Sequence, residues 1–288
     1  MYPSSVKELV QGGDGLVSLP EVCFLVNDLV NDPGCSLDQV GHVISQDPAL
    51  TARLLKLVNS SYYGFEMKIE TVSRAVLMVG LKELQNMVWA TAAVETFEGL
   101  SGSKANMAAF WRHSIFTAVL GRILAKECNL LHPERMFVAG LLHDIGKLVL
   151  YSRYPQLVEE VWAVERDHGL DDGVTAERLV LGFDHAELAG ELLRHWSLPE
   201  NLASAVQFHH SPKESKDHSI EVSIVHIANV MAHALEVGEE EELDAACEAE
   251  AWQLLDLSTD RIKPMLHEAI FQFLETLELL LPGARQRL

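Results

Sequence analysis

Ala139-Gly140-Leu141-Leu142-His143-Asp144-Ile145-Gly146-Lys147 is the stretch from which the rest of the chain can be read. An apolar run at a helix end delivers an imidazole followed at once by a carboxylate. Two such polar groups in apolar surroundings are destabilising unless both find partners. A divalent metal would serve both, because neutral imidazole supplies a nitrogen ligand and the carboxylate offsets charge. The same dipeptide also fits a helix-terminal pair, with Asp144 capping and His143 hydrogen-bonded in the core. Structural networks of that kind are commoner than sites.

Outward from this stretch the hydrophobic period is helical. Val22, Leu25, Val26, Leu29 and Val30 recur at the spacing of one helix face. Ser36 and Gln39 have capping-box spacing, and Asp47-Pro48 places a cap residue before a first-turn proline. Ile69, Val72, Val76 and Val79 keep the period until Gly80, a helix stop. Asn59-Ser60-Ser61 reads as helix-end capping and turn formation. Further helices are expected at Met107–Cys128, Arg135–His143 and Leu266–Leu281. Sustained period-two alternation is absent, so the expected fold class is all-α. The glycine-rich GLSGSK at 99–104 reads as a joint between helical halves 1–104 and 105–288. Glu236 to Glu250 reads as a solvated acidic face, and Trp111, Trp162 and Trp196 as core or edge packing.

The chain has 288 residues and a hydrophobic fraction of 48%, enough for a substantial core. Lys plus Arg is 22 against 42 for Asp plus Glu, a formal charge of −20. Such a surface repels phosphate backbones, which argues against direct nucleic-acid binding. No apolar run approaches the roughly 18 residues of a membrane span. Met1 to Gly15 lacks the n- and h-regions of a signal peptide. Cys23, Cys35, Cys128 and Cys247 show no paired spacing and fit a reducing compartment. The expectation is a cytoplasmic protein.

Thirteen histidines make their placement informative. Beside His143-Asp144, His113 falls inside the long helix in Trp111-Arg112-His113-Ser114. His185 falls in the first turn of a helix begun by Asp184, with Glu187 at capping-box spacing. His209-His210 ends another helix. Any one of them alone reads as a satisfied core or surface histidine. Four helix-borne elements in order can converge in a bundle core, where helical proteins build metal sites.

The order His113, His143-Asp144, His185, His209-His210 resembles that of HD-type metal-dependent phosphohydrolases, and Gly140 to Lys147 is close to their signature. The N-terminal half narrows the resemblance through Leu19-Pro20, Asp47-Pro48-Ala49-Leu50, the run Leu54 to Gly64, and Ala75 to Leu81. That set is similar to the HDOD domain, a bacterial signalling module related to HD hydrolases. The likeness covers Leu19 to His233. It implies a multi-helix bundle in which an N-terminal helical subdomain packs on an HD-like core. It also implies metal ligands at His113, His143, Asp144, His185, His209 and His210, with Lys147 placed to face a phosphate. Three positions depart from the hydrolase pattern. Asn229 stands where a late aspartate is usual, Ala109 where some members carry a carboxylate, and no Gly-Tyr-Pro follows His209-His210. An amide keeps an oxygen ligand but loses the charge.

Two functions follow from the resemblance. One is a regulatory HDOD protein that binds a protein partner of a signalling pathway or a small phosphorylated ligand. The other is a phosphohydrolase acting on a phosphomonoester or a cyclic nucleotide, with His143, Asp144 and Lys147 in the catalytic set and the metal activating water. An imidazole-rich mixed site accepts iron, manganese, zinc or nickel, and the letters do not choose among them.

Overall fold

The computed structural model describes residues 5–11, 19–60, 63–98, 106–169, 173–237, 247, 249–257 and 261–281. The expected joint at 99–104 lies outside these residues, as does the acidic run 239–242.

Among the described residues there is no strand, and the chain is all-α. The N-terminal helices are α1 (Val6–Gln11), α2 (Glu21–Asn31), α3 (Leu37–Ser45), α4 (Pro48–Val58), α5 (Val72–Val79) and α6 (Leu81–Glu98). Next come α7 (Met107–Glu127), α8 (Glu134–Leu142), α9 (Ile145–Arg153), α10 (Pro155–His168), α11 (Gly173–Leu181), α12 (His185–His195) and α13 (Glu200–Gln207). After a 3-10 turn (Pro212–Glu214) follow α14 (Ser219–Val237), α15 (Ala249–Leu255) and α16 (Ile262–Leu280).

Local chemistry sets the helix ends as the spacing predicts. Ser36 and Gln39 form a reciprocal capping box at α3. Asp47 caps α4 through the amides of Ala49 and Leu50, both at 3.0 Å, ahead of Pro48. Gly80 ends α5 at φ 90°, where a side chain would be strained. Asn59 closes α4 and ties it to the following loop. Its Nδ2 donates to the carbonyls of Leu55 and Ile69, and its Oδ1 accepts from the Ile69 amide, each at 2.7 Å. Asp184 shows only the forward half of a box, accepting from the Glu187 amide at 2.8 Å. The Glu187 carboxylate turns instead toward Arg178. On α2 the buried stripe runs through Cys23 and Val26 while Leu25 faces solvent, so the expected face is rotated.

Buried side chains from Leu9 to Leu280 form one contiguous core. The α7 helix lies at its centre, packed against α8, α14 and α16. The α6 helix packs on α8 and carries the N-terminal helices, α2, α4 and α5, with it. The α12 helix rests on α9 and α13. The α14 helix alone among the described residues is long and apolar enough to cross a membrane by length and composition, but polar residues interrupt it and 56% of the stretch is buried in protein. Its apolarity follows from its place between α7, α8 and α13.

Candidate metal centre

Two glycines bring the histidines together. A methyl group at Gly140 would lie 2.7 Å from the Ala118 Cα and 2.8 Å from the Thr117 carbonyl oxygen. Its absence lets α8 press against α7, which sets His143 beside His113 with ring centroids 5.2 Å apart. A methyl group at Gly146 would collide with the His185 carbonyl oxygen. The bare backbone lets α9 meet the start of α12, which sets His185 beside Asp144. Close backbone approach is what glycine alone permits.

His143 ends α8 in helical geometry, and Asp144 breaks the ladder at φ −99°, ψ 6° before α9 begins. His209 and His210 follow α13, and His113 sits in the second turn of α7. All six expected ligand residues therefore lie around the Asp144 carboxylate, in two groups that share it. Asp144, His185, His209 and His210 offer ligand atoms within 4.8 Å of one another, and so do His113, His143 and Asp144.

Asp144 belongs to both groups and faces them with different oxygens. Its Oδ1 lies 3.0 Å from His185 Nε2 and 3.9 Å from His209 Nε2. Its Oδ2 lies 3.5 Å from His143 Nε2 and 2.7 Å from Lys147 Nζ. His210 Nε2 is 3.0 Å from His185 Nε2. On the other side His113 Nε2 is 2.8 Å from Asn229 Oδ1.

The ring orientations are fixed from behind. The Nδ1 of His143 donates to the Gly140 carbonyl and that of His209 to the Val206 carbonyl, both at 2.7 Å. Their Nε2 lone pairs are thereby aimed inward. Glu177 Oε2 accepts from both the amide and the Nδ1 of His185, each at 2.7 Å. Glu236 Oε2 stands 3.2 Å from His113 Nδ1. His226 Nδ1 meets the His209 carbonyl at 2.7 Å and holds that segment in place. Partners of this kind orient metal-binding imidazoles and set their tautomers.

Burial then decides protonation. Burial lowers His143 to about 4, and burial with the neighbouring His185 lowers His210 to about 2. His209 is held well below the ordinary imidazole value by burial and by His210. These three are neutral at pH 7. His185 goes the other way, since burial opposes its cation but the Glu177 carboxylate, aided by Asp144, raises it to about 9, so that it would ligate a cation only on losing its Nε2 proton. Burial likewise opposes the Asp144 anion, and His143, Lys147 and His185 overcome it and keep the carboxyl well below its usual range.

The donor set fits a cation. His143 Nε2 and His209 Nε2 are buried and have no hydrogen-bond partner among the described residues, and the buried Asp144 Oδ1 has His185 Nε2 beside it at 3.0 Å. Each unpartnered acceptor is destabilising by ~1–3 kcal/mol when left alone. Unsatisfied imidazole acceptors on both sides of a buried carboxylate are what a bound cation removes. Ligand atoms bound at ~2.1 Å stand roughly 3.0–3.4 Å apart, on the scale of the separations here. The centre opens to a cleft of ≈ 410 Å³ lined by Asn106, His113, Asp144, Lys147, Trp162 and Glu236 among others. Trp111 and Trp196 are core residues and Trp162 packs at the core's edge, as expected, where it also borders this cleft.

Glu177 and Glu236 escape a reading of the letters. Glu177 is a lone glutamate eight residues before His185, with no motif to mark it. Glu236 falls at the edge of the run read as a solvated face and is exposed as that reading expects, but it also stands beside His113.

The HDOD domain profile matches residues 16–212, well over half of the chain, and the chain belongs to the HDOD domain family. Its fold is similar to that of an HDOD domain protein of Geobacter sulfurreducens, at 24% identity and a TM-score of 0.77 over 96% of this chain and 97% of that one. A candidate phosphohydrolase of Shewanella amazonensis SB2B is similar at 26% identity and a TM-score of 0.74, over 96% and 98% of the two chains. An uncharacterised protein of Treponema pallidum is 27% identical over 227 residues, which cover 77% of this chain and 43% of that protein. The chain thus spans less than half the length of that curated relative. The profile match ends at Pro212, so Asn229 and Glu236 join the centre from beyond it.

Proposed function

We propose that this chain is a regulatory HDOD protein whose histidine-aspartate centre holds a divalent transition metal and receives a small phosphorylated ligand from the cleft. The observation that carries the reading is the gathering of two overlapping ligand groups around the buried Asp144 carboxylate, with His143 Nε2 in one and His209 Nε2 in the other buried and without a hydrogen-bond partner among the described residues. His113, His185 and His210 complete the set of ligands. A bound cation would supply Lewis acidity toward a phosphoryl oxygen. The chain's own residues do the rest. Lys147 carries a positive charge at the cleft wall, and Glu177 and Glu236 hold their imidazoles in place from behind. The cleft volume suits a small molecule rather than a polymer.

The regulatory role rests on family membership and on two departures from hydrolase chemistry. Asn229 brings no charge to the His113 side, and the Asp144 oxygen facing that side is already paired with Lys147. Metal analysis of protein purified without chelators tests the centre. A metal-free protein that takes up none when dialysed against manganese, iron, zinc or nickel sinks the reading.

A second reading, a metal-dependent phosphohydrolase, draws on the same ligands, on Lys147 and on the likeness to the Shewanella amazonensis protein. In it His143, Asp144 and Lys147 form the catalytic set. Hydrolysis of phosphomonoesters and cyclic nucleotides by the wild type, well above that of His143→Ala, is the result that favours it. Equal background rates remove it.

A further inference from the structure

The two halves of the centre are unequal, and the difference lies in Asp144. On the inner side its Oδ1 faces three imidazoles, those of His185, with Nε2 at 3.0 Å, His209 and His210. One of these is anchored by Glu177, whose side chain is only 9% exposed. On the outer side its Oδ2 is held by Lys147 Nζ at 2.7 Å. The remaining outer groups are His143, His113 and the uncharged Asn229 amide. The carboxylate behind His113, on Glu236, is 38% exposed and correspondingly screened. A cation on the outer side thus meets one carboxylate oxygen already neutralised by an ammonium group, and it repels that ammonium.

The geometry points to coupled loading of this centre: the inner position takes a divalent cation by itself, and the outer position takes a second only together with an anion that draws Lys147 off Asp144. This deepens the metal reading above and rests on it. Lys147 is placed for such an exchange. Its side chain is 29% exposed and lines the open cleft, so its ammonium can turn from Asp144 Oδ2 to the oxygens of a bound phosphoryl group. Departure of the ammonium returns a full negative charge to the outer position. The arriving anion then meets two cations in place of one. By linkage, the anion tightens the second cation by the same factor as the second cation tightens the anion. The centre would respond to a phosphorylated ligand and a metal ion jointly, and weakly to either alone.

The test is equilibrium dialysis of the full chain against manganese, with and without inorganic phosphate, the free ion being followed by electron paramagnetic resonance. The wild type is expected to bind one equivalent without phosphate and a second, at least tenfold tighter than before, when phosphate is present. Lys147→Met should take up the second equivalent without phosphate and lose most of the phosphate effect. Asn229→Asp supplies a charge without touching Lys147, and should tighten the second equivalent on the order of tenfold in the absence of phosphate. Circular dichroism establishes that both variants fold. Two equivalents of equal affinity without phosphate, or a second equivalent indifferent to phosphate, overturns the coupling and leaves the metal reading intact. No manganese bound under any condition overturns both.

Discussion

One oxygen of Glu177 holds His185 twice, accepting from its backbone amide and from its ring Nδ1 at the same 2.7 Å. The start of α12 and the orientation of a candidate ligand are thereby set by a single carboxylate on α11. Removing its charge should loosen the ring while leaving its contacts in place. Glu177→Gln is expected to lower metal affinity about 10–100-fold, the usual effect of losing such a partner. Competition against a chromophoric chelator measures it, and an unchanged affinity denies Glu177 this role.

Gly146 carries a packing demand of similar weight. Adding a methyl group drives it into the His185 carbonyl and forces α9 and α12 apart. Gly146→Ala should destabilise the fold by ~1–3 kcal/mol, as overpacking does. Thermal unfolding would then shift downward by several degrees, at roughly 2–4 °C per kcal/mol. The variant should also retain less metal after dialysis. A wild-type melting temperature would mean that the two helices have slack the structure does not show.

Metal removal should destabilise the wild type more than a variant without the inner ligands. Binding to the native state alone stabilises it by about 2.7 kcal/mol at a free concentration 100 times the dissociation constant. His209→Ala removes a buried ligand and should flatten that response. Calorimetric scans before and after chelation, for both proteins, give the comparison. A chelator effect of equal size in the variant would place the cation elsewhere.

A separate prediction concerns pH and the contact between the N-terminal helices and the rest. Glu83 on α6 is buried and accepts from the Tyr63 hydroxyl at 2.8 Å. Burial, reinforced by Glu134, pushes its carboxyl from 4.5 up to about 8, against the pull of Tyr63, Asn86 and Arg122. The folded state therefore prefers the protonated acid. That preference contributes stability in full below the unfolded value and loses it as pH rises from 4.5 through about 8. Glu83→Gln should lose less stability than the wild type across this window, as read from urea midpoints at its two ends. Parallel pH dependences would show that Glu83 ionises freely.

What the letters reveal is mostly what is local. The caps at Ser36 and Asp47 depend on neighbours within four residues, and the spacing announces them. The ligand order is legible because His143-Asp144 and His209-His210 are dense signals and their family pattern is distinctive. Their convergence is not local, since it needs the close approaches at Gly140 and Gly146, which involve residues 22 and 39 positions away. Glu177 and Glu236 stay hidden because a carboxylate that acts through another residue needs no fixed spacing from it. The rotated face of α2 has the same origin, because which of two apolar rows turns inward is decided by α3 and α6 packing against it.

The pair His143-Asp144 occupies the joint where α8 gives way to α9, and His209 and His210 lie past the end of α13. Side chains at such joints answer to no continuous ladder on either side. An exchange there rewrites the chemistry without unwinding a helix. The metal preference of such a centre is therefore adjustable at single positions that the helical framework does not depend on for its hydrogen bonds.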